Sequence, residues 1–204
     1  MRGLVPDITH KILQGHTMIK NSLLILSLLL TPLMACAHSL QINQRVPPVG
    51  VSDKGELNYD KATDQFSYKN WNSSQLPGKV RVIQHIAGRT SAKELNAPLV
   101  EAIKHANLPH EHYQTTTIVN TDDAIIGTAV FVRNSIESNK RDFPWSQFVV
   151  DSDGNVKKAW GLAEKGSAIV VLDSQGNVKF AKDGALTPQE VQQVIDQLHQ
   201  LVKQ

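Results

Sequence analysis

The chain has 204 residues, 21 Lys+Arg against 19 Asp+Glu, a formal charge of +2 and a single Cys. That length suits one ordinary domain with a core of its own. The small, dispersed charge excludes the concentrated basic face of a nucleic-acid binder, and one Cys excludes an internal disulfide and any Cys-x-x-Cys pair.

Met18-Ile19-Lys20-Asn21 precedes an apolar run over residues 22–30, and Thr31-Pro32-Leu33-Met34 leads to Ala35-Cys36-Ala37. A basic start, a short apolar stretch and an A-x-A site are the three parts of a secretory signal peptide. The stretch is too short to span a membrane, which takes about 20 residues. A buried core helix would also be apolar, but it has no need of the small-residue site. Pro6, Asp7, His10 and His16 interrupt residues 1–17. We therefore expect an upstream extension over 1–17, a signal peptide over 18–37 cleaved after Ala37, and an exported domain over 38–204. Leu33-Met34-Ala35-Cys36 is also close to a lipoprotein box with Cys36 as the acylated residue. Met at the second position is unusual there, and Ala37 completes the A-x-A site, so soluble release is favoured. Removing the leader takes away Arg2, Lys11, Lys20 and Asp7, which leaves the remainder formally neutral.

From His38 onward, extended and helical patterns alternate without repeats or long linkers, the order of a single α/β domain. Val46-Pro47-Pro48-Val49-Gly50 leads to Ser52-Asp53-Lys54-Gly55, a turn between short extended segments, and residues 71–79 form a loop. Residues 80–86, mostly apolar and β-branched, predict a central strand. Gly88-Arg89-Thr90-Ser91 opens a helix to about Ala106, with Ala92, Leu95, Leu99, Ala102, Ile103 and Ala106 on its buried face and Pro98 as a kink. Residues 113–120 predict the next strand, Asp122-Asp123 a loop, residues 135–141 a short helix and residues 147–150 another strand. Residues 168–173 and 177–181 flank Ser174-Gln175-Gly176 as a β-hairpin. The last helix is the best signalled: Thr187 is its N-cap, Pro188 lies in the first turn and Glu190 completes a capping box. Val191, Val194, Ile195, Leu198, Leu201 and Val202 form its apolar stripe.

Residues 78–93 run Gly-Lys, apolar strand, turn and helix start, and resemble the Gly-Lys, strand, Cys-x-x-Cys, helix segment of exported thioredoxin-like proteins. Residues 148–156 through Trp160-Gly161-Leu162 are similar to the corresponding stretch of peroxiredoxins, and residues 167–176 to the cis-Pro strand and hairpin of both groups. More closely, residues 84–94 (Gln84 to Glu94), residues 115–124 (Thr115 to Ala124) and Lys182-Asp183-Gly184-Ala185-Leu186-Thr187 resemble the YtfJ family of small exported bacterial proteins. That resemblance implies a thioredoxin-like three-layer α/β/α sandwich around a central mixed sheet, a periplasmic location and no established biochemical function. Laid without gaps on the thioredoxin pattern, the two Cys positions fall on Thr90 and Lys93, and Ser167 stands where oxidoreductases carry the cis-Pro of the substrate groove. Disulfide exchange needs a thiolate and a second sulfur. Cys36 leaves with the leader or is acylated, so neither disulfide exchange nor peroxidase activity is expected.

What remains is a corner made of Gly88, Arg89, Thr90, Ser91 and Lys93. Backbone N–H groups and a guanidinium there suit a carboxylate or phosphate, while a Thr90 or Ser91 helix cap accounts for the same hydroxyls. His85 is a core or groove histidine. His105, His110 and His112 with Glu111 are weak metal candidates, better explained as surface histidines near a helix C-terminus. Asp122-Asp123 and residues 151–155 lack the downstream Glu of a calcium loop. Ser91, His85 and Asp122 have no Gly-x-Ser-x-Gly elbow to support a hydrolase. The expectation is a binding protein without cofactor, membrane span or nucleic-acid partner. Its candidate contacts are His85, Arg89, Thr90, Ser91, Lys93 and Ser167, toward an envelope protein or a small anion. The contrasting class is a non-redox enzyme. A concave pocket uniting Arg89, His85, Asp122 and Asp123 would favour a ligand or catalytic site, and a flat apolar surface would favour protein association.

Overall fold

A computed structural model describes residues 38–204; the upstream extension, the leader and Cys36 lie outside the described residues. Seven strands, β1 (Gly50–Asp60), β2 (Gln65–Asn72), β3 (Val80–Ala87), β4 (Tyr113–Asn120), β5 (Gln147–Asp151), β6 (Ser167–Leu172) and β7 (Val178–Asp183), form one mixed sheet in the order β2-β1-β5-β4-β3-β6-β7. Helices α1 (Thr90–Leu95), α2 (Ala97–His105), α3 (Ala129–Asp142), α4 (Asn155–Trp160) and α5 (Pro188–Leu201) cover its two faces. The pairs β3–β4 and β4–β5 are parallel, as their helical crossovers require, and the other neighbours are antiparallel. The result is the α/β/α sandwich expected from the sequence.

All eight residues of β3 are buried, because the strand is paired on both sides and covered on both faces. Side chains alternate along it, so Gln84 and Ile86 face one layer while Ile83 and His85 face the other. On the His85 side, Ile83, Ile118, Val149 and Val170 pack with Trp71, Val156 and Trp160, and the N-terminal arm adds Leu40 and Val46. On the Gln84 side, Val80, Val82, Tyr113, Ile169 and Val171 pack beneath Leu99 of α2 and Val194 and Leu198 of α5. Ile136 of α3 packs separately over Leu57, Val119, Phe148 and Val150.

The α5 capping box is present, with Glu190 N donating to Thr187 Oγ1 at 3.2 Å and Thr187 N donating to Glu190 Oε2 at 2.7 Å. Other expectations need correction. Residues 52–55 are not a turn between separate segments but an irregularity inside β1, where the register with β2 shifts between Val51 and Glu56. Gly55 sits there at φ +79°, and a Cβ would lie 2.2 Å from the Lys69 carbonyl oxygen, so only glycine fits. Trp71 and Asn72 end β2 rather than open a loop. The helix expected to kink at Pro98 is two helices broken at Asn96, with Pro98 in the first turn of α2, where its missing N–H is harmless. The helix expected over residues 135–141 runs over Ala129–Asp142. Residues 151–155 lead directly into α4, whose first amides are capped by Asp151: Asn155 N and Val156 N donate to its carboxylate at 3.0 and 2.8 Å. Among the described residues no helix is long and apolar enough to cross a membrane.

Candidate functional site

A groove of about 1230 Å³ runs along the Gln84 face of the sheet, between α2 and α3. Its floor is Gln84 and Ile86 of β3, Tyr113, Thr115, Thr117 and Val119 of β4, and Phe148 of β5. These residues share one face because β3, β4 and β5 are in register, with Gln84 opposite Thr117 and Thr117 opposite Phe148. Val100 and Lys104 of α2 form one wall, and Phe131, Val132 and Ser135 of α3 form the other. The groove exists because each crossover helix packs elsewhere, α2 toward α5 and α3 toward β1.

One end of the groove is the corner singled out in the sequence. Arg89, Thr90 and Lys93 line it together with Gly88. Arg89 is fixed by its Nε, which donates to the Asp123 carbonyl at 2.5 Å, and no hydrogen bond to its Nη atoms is found among the described residues. A Cβ on Gly88 would meet the Ala124 Cβ at 3.0 Å, which makes this the close approach between the β3–α1 turn and the loop after β4. The capping alternative fails: Arg89 itself occupies the N-cap position, and no side chain caps α1. The other end is aromatic, with Trp145 lining the groove and stacked on His110 at 3.7 Å between ring centroids.

Three of the six binding candidates are therefore together, and three are not. Ser91 is exposed on α1 away from the groove. Ser167 is buried at the start of β6, opposite Ile86, and its Oγ donates to Asn96 Oδ1 at 2.5 Å, which ties the break between α1 and α2 to the sheet. His85 is 2% exposed on the opposite face, with Nε2 buried and unpartnered. Burial lowers its pKa to about 4, the Asp123 carboxylate pulls it back up and the Lys157 ammonium pushes it down.

That opposite face holds a buried polar network beneath the corner. Asp123 accepts from Lys157 Nζ at 2.9 Å, Asn120 Nδ2 at 3.0 Å and Lys165 N at 2.9 Å. Burial pushes the Asp123 carboxyl up, but the Lys165 amide and the Lys157 ammonium outweigh it and leave it below the usual range. The hydrogen bond to Asp123, with the charges of Asp123, of Asp122 at 3.6 Å and of Glu164, raises the Lys157 ammonium. Asp123 is thus a structural anion, and no hydrogen bond joins Ser91, His85 and Asp122 into a triad among the described residues. Nor does any group of three His, Cys, Asp or Glu converge as a metal site there; His105, His110 and His112 are exposed.

The family model for a bacterial protein family of unknown function, YtfJ_HI0045, matches residues 40–201. The chain belongs to the YtfJ family. The protein YtfJ of Escherichia coli, described as uncharacterised, is 66% identical over 181 residues, covering 89% of this chain and 97% of its own length. An uncharacterised Haemophilus influenzae protein is 47% identical over 167 residues, covering 82% of this chain and 90% of its own. Among solved structures, a candidate protein disulfide isomerase from Bacteroides thetaiotaomicron aligns with a TM-score of 0.56 at 17% identity, over 82% of this chain and 93% of that one. A candidate thiol:disulfide interchange protein DsbE from Chlorobium tepidum gives 0.54 at 13% identity, over 80% and 99%. At such identities they establish the thioredoxin-like fold and nothing of the chemistry.

The sequence pointed to the cationic corner and missed the groove behind it. Gln84, Thr117, Ile125, Phe131 and Trp145 were not singled out for a site. The available signal was Ile125-Ile126 and Val130-Phe131, apolar pairs around Gly127 that fit no single buried face.

Proposed function

We propose that this YtfJ-family chain is exported to the periplasm, cleaved after Ala37, and acts there by binding rather than by thiol chemistry, holding an anionic ligand at the corner of residues 88–93. The observation that carries this reading is the placement of Arg89, Thr90 and Lys93 together at the open end of a large groove. The structural neighbours are named for disulfide chemistry, but residues 38–204 contain no Cys, and no other side chain performs reversible disulfide exchange. Arg89 and Lys93 supply instead a delocalised cation and a point charge suited to carboxylate or phosphate.

Amide NMR of the purified protein titrated with inorganic phosphate and with acetate tests the corner. Shifts centred on residues 88–93, abolished in Arg89→Ala, are expected; no shift there would overturn the anion reading. In an insulin-reduction assay the protein should match the dithiothreitol blank, and acceleration would overturn the non-redox reading. N-terminal sequencing of periplasmic protein should begin at His38.

A further inference from the structure

We infer that the groove between α2 and α3 holds the hydrocarbon chain of an anionic single-chain amphiphile, with its head at Arg89 and Lys93. This rests on the anion reading of the corner and adds what lies behind it. Charge complementarity sets the orientation. The acidic residue lining the groove, Glu101, is neutralised by Lys104 at 2.6 Å, and the Asp123 carboxylate is held by Lys157, Asn120 and Lys165. Arg89 and Lys93 make no ion pair among the described residues, so that end keeps an excess of positive charge.

Beyond the corner the groove turns apolar, with Ile86, Val119 and Phe131 first and Phe143, Trp145 and Phe148 further in. An extended peptide has poor prospects there. All three floor strands, β3, β4 and β5, are paired on both sides, so no strand edge is free to hydrogen-bond a peptide backbone. A hydrocarbon chain needs no such partners. Midway, Gln84 and Thr117 stand opposite each other in register, and neither side chain has a hydrogen-bond partner among the described residues. They match a polar linkage in the ligand, which favours the ester of a lysophospholipid over a plain fatty acid. At the rim, Ile125 is 53% exposed and Phe131 75%, beside Ile126 at 101% and Val130 at 55%. A rim of this kind gives an acyl chain apolar contact as it moves between a bilayer and the groove.

Trp145 lies in the groove, whereas Trp71 and Trp160 are buried in the other layer, so tryptophan fluorescence of the purified full chain reports occupancy. The probes are palmitoyl lysophosphatidylglycerol, palmitate and palmitoyl lysophosphatidylcholine, each below its micelle concentration, and an acidic amphipathic helical peptide. Saturable binding of the anionic lipids is expected, weakened about tenfold when the head is zwitterionic or when Arg89→Ala and Lys93→Ala remove the charge-assisted contacts. Gln84→Leu with Thr117→Val should erase the preference for lysophosphatidylglycerol over palmitate. Ser135→Trp, at an exposed groove position, should block the lipids while leaving the phosphate-induced shifts at residues 88–93 unchanged. Phosphate shifts without lipid binding would overturn this inference and leave the corner intact. Lipid binding insensitive to Arg89 and Lys93 would overturn the head placement, and binding of the peptide alone would overturn the ligand class.

Discussion

The two faces of the β3–β4 pair are built from the same strands and finished differently. On one, Ile83 and Ile118 are fully covered by Trp160 and Val156, and even the charges Asp123 and Lys157 are buried against each other. On the other, Gln84 and Thr117 look into an open groove, and Phe131 stands 75% exposed beside it. A chain that packs one layer so fully can pack the other. On the Gln84 side it keeps a lined, charged gap beside its packed part, which is where the proposed binding falls, and five substitutions rank the contrast.

Trp160→Ala should be the most damaging. The side chain is fully buried and its Nε1 donates to the Pro47 carbonyl at 2.9 Å, pinning the N-terminal arm. Loss of packing over so large a residue costs roughly 3–5 kcal/mol, measurable by urea denaturation. Asp123→Ala follows at about 2 kcal/mol, because it leaves the Lys157 ammonium with only the more distant Asp122 carboxylate at 3.6 Å and removes the acceptor of Asn120 and the Lys165 amide. A cost near zero would show that the network is solvated, and the contrast between the faces would lose its polar half.

His85 supplies the pH-dependent version of the test. Its folded pKa is depressed from 6.5 to about 4 by burial, so the unfolded chain binds the extra proton between those values. Stability attributable to this group is complete above pH 6.5 and lost as pH falls toward 4. At about 1.4 kcal/mol per pH unit, roughly 3 kcal/mol is the ceiling. His85→Leu should flatten the stability profile between pH 6.5 and 4; an unchanged slope would place the acid sensitivity elsewhere.

This division into faces was only half visible in the sequence. The unbroken apolar run at residues 80–86 announced a central strand, and Thr187, Pro188 and Glu190 announced α5, because both signals are local. The β1–β2 hairpin over residues 56–70 is polar along one exposed side at the sheet margin, and α4 has six residues, too few for a periodic pattern. The first turns of α3 present Val130 and Phe131 to solvent, which breaks the amphipathic pattern that marks a helix start. The cationic corner was legible because Arg89, Thr90 and Lys93 are neighbours in sequence. The partners of Asp123 were not, since Lys157 and Lys165 are 34 and 42 residues away. Of the two places open to His85, core or groove, it takes the core for a reason of parity: a one-residue step along β3 exchanges the layers.

The smallest expected effect is on stability alone. Phe131→Ser removes an aromatic ring that is 75% exposed, so the unfolding free energy should stay within about 0.5 kcal/mol of the parent. The same change takes away apolar contact at the mouth of the groove, so lipid affinity should fall several-fold while phosphate-induced shifts at residues 88–93 persist. Ile136→Ser, one face of α3 away, 6% exposed over Leu57 and Phe148 and also at the groove wall, should instead destabilise by more than 2 kcal/mol, on the order of other buried apolar losses. If Phe131→Ser proves as destabilising as Ile136→Ser, the ring is part of the core in solution and the groove is closed. If it alters neither stability nor lipid affinity, the exposed rim plays no part in binding, and the distinction between a packed face and a working face must be drawn closer to Arg89 and Lys93.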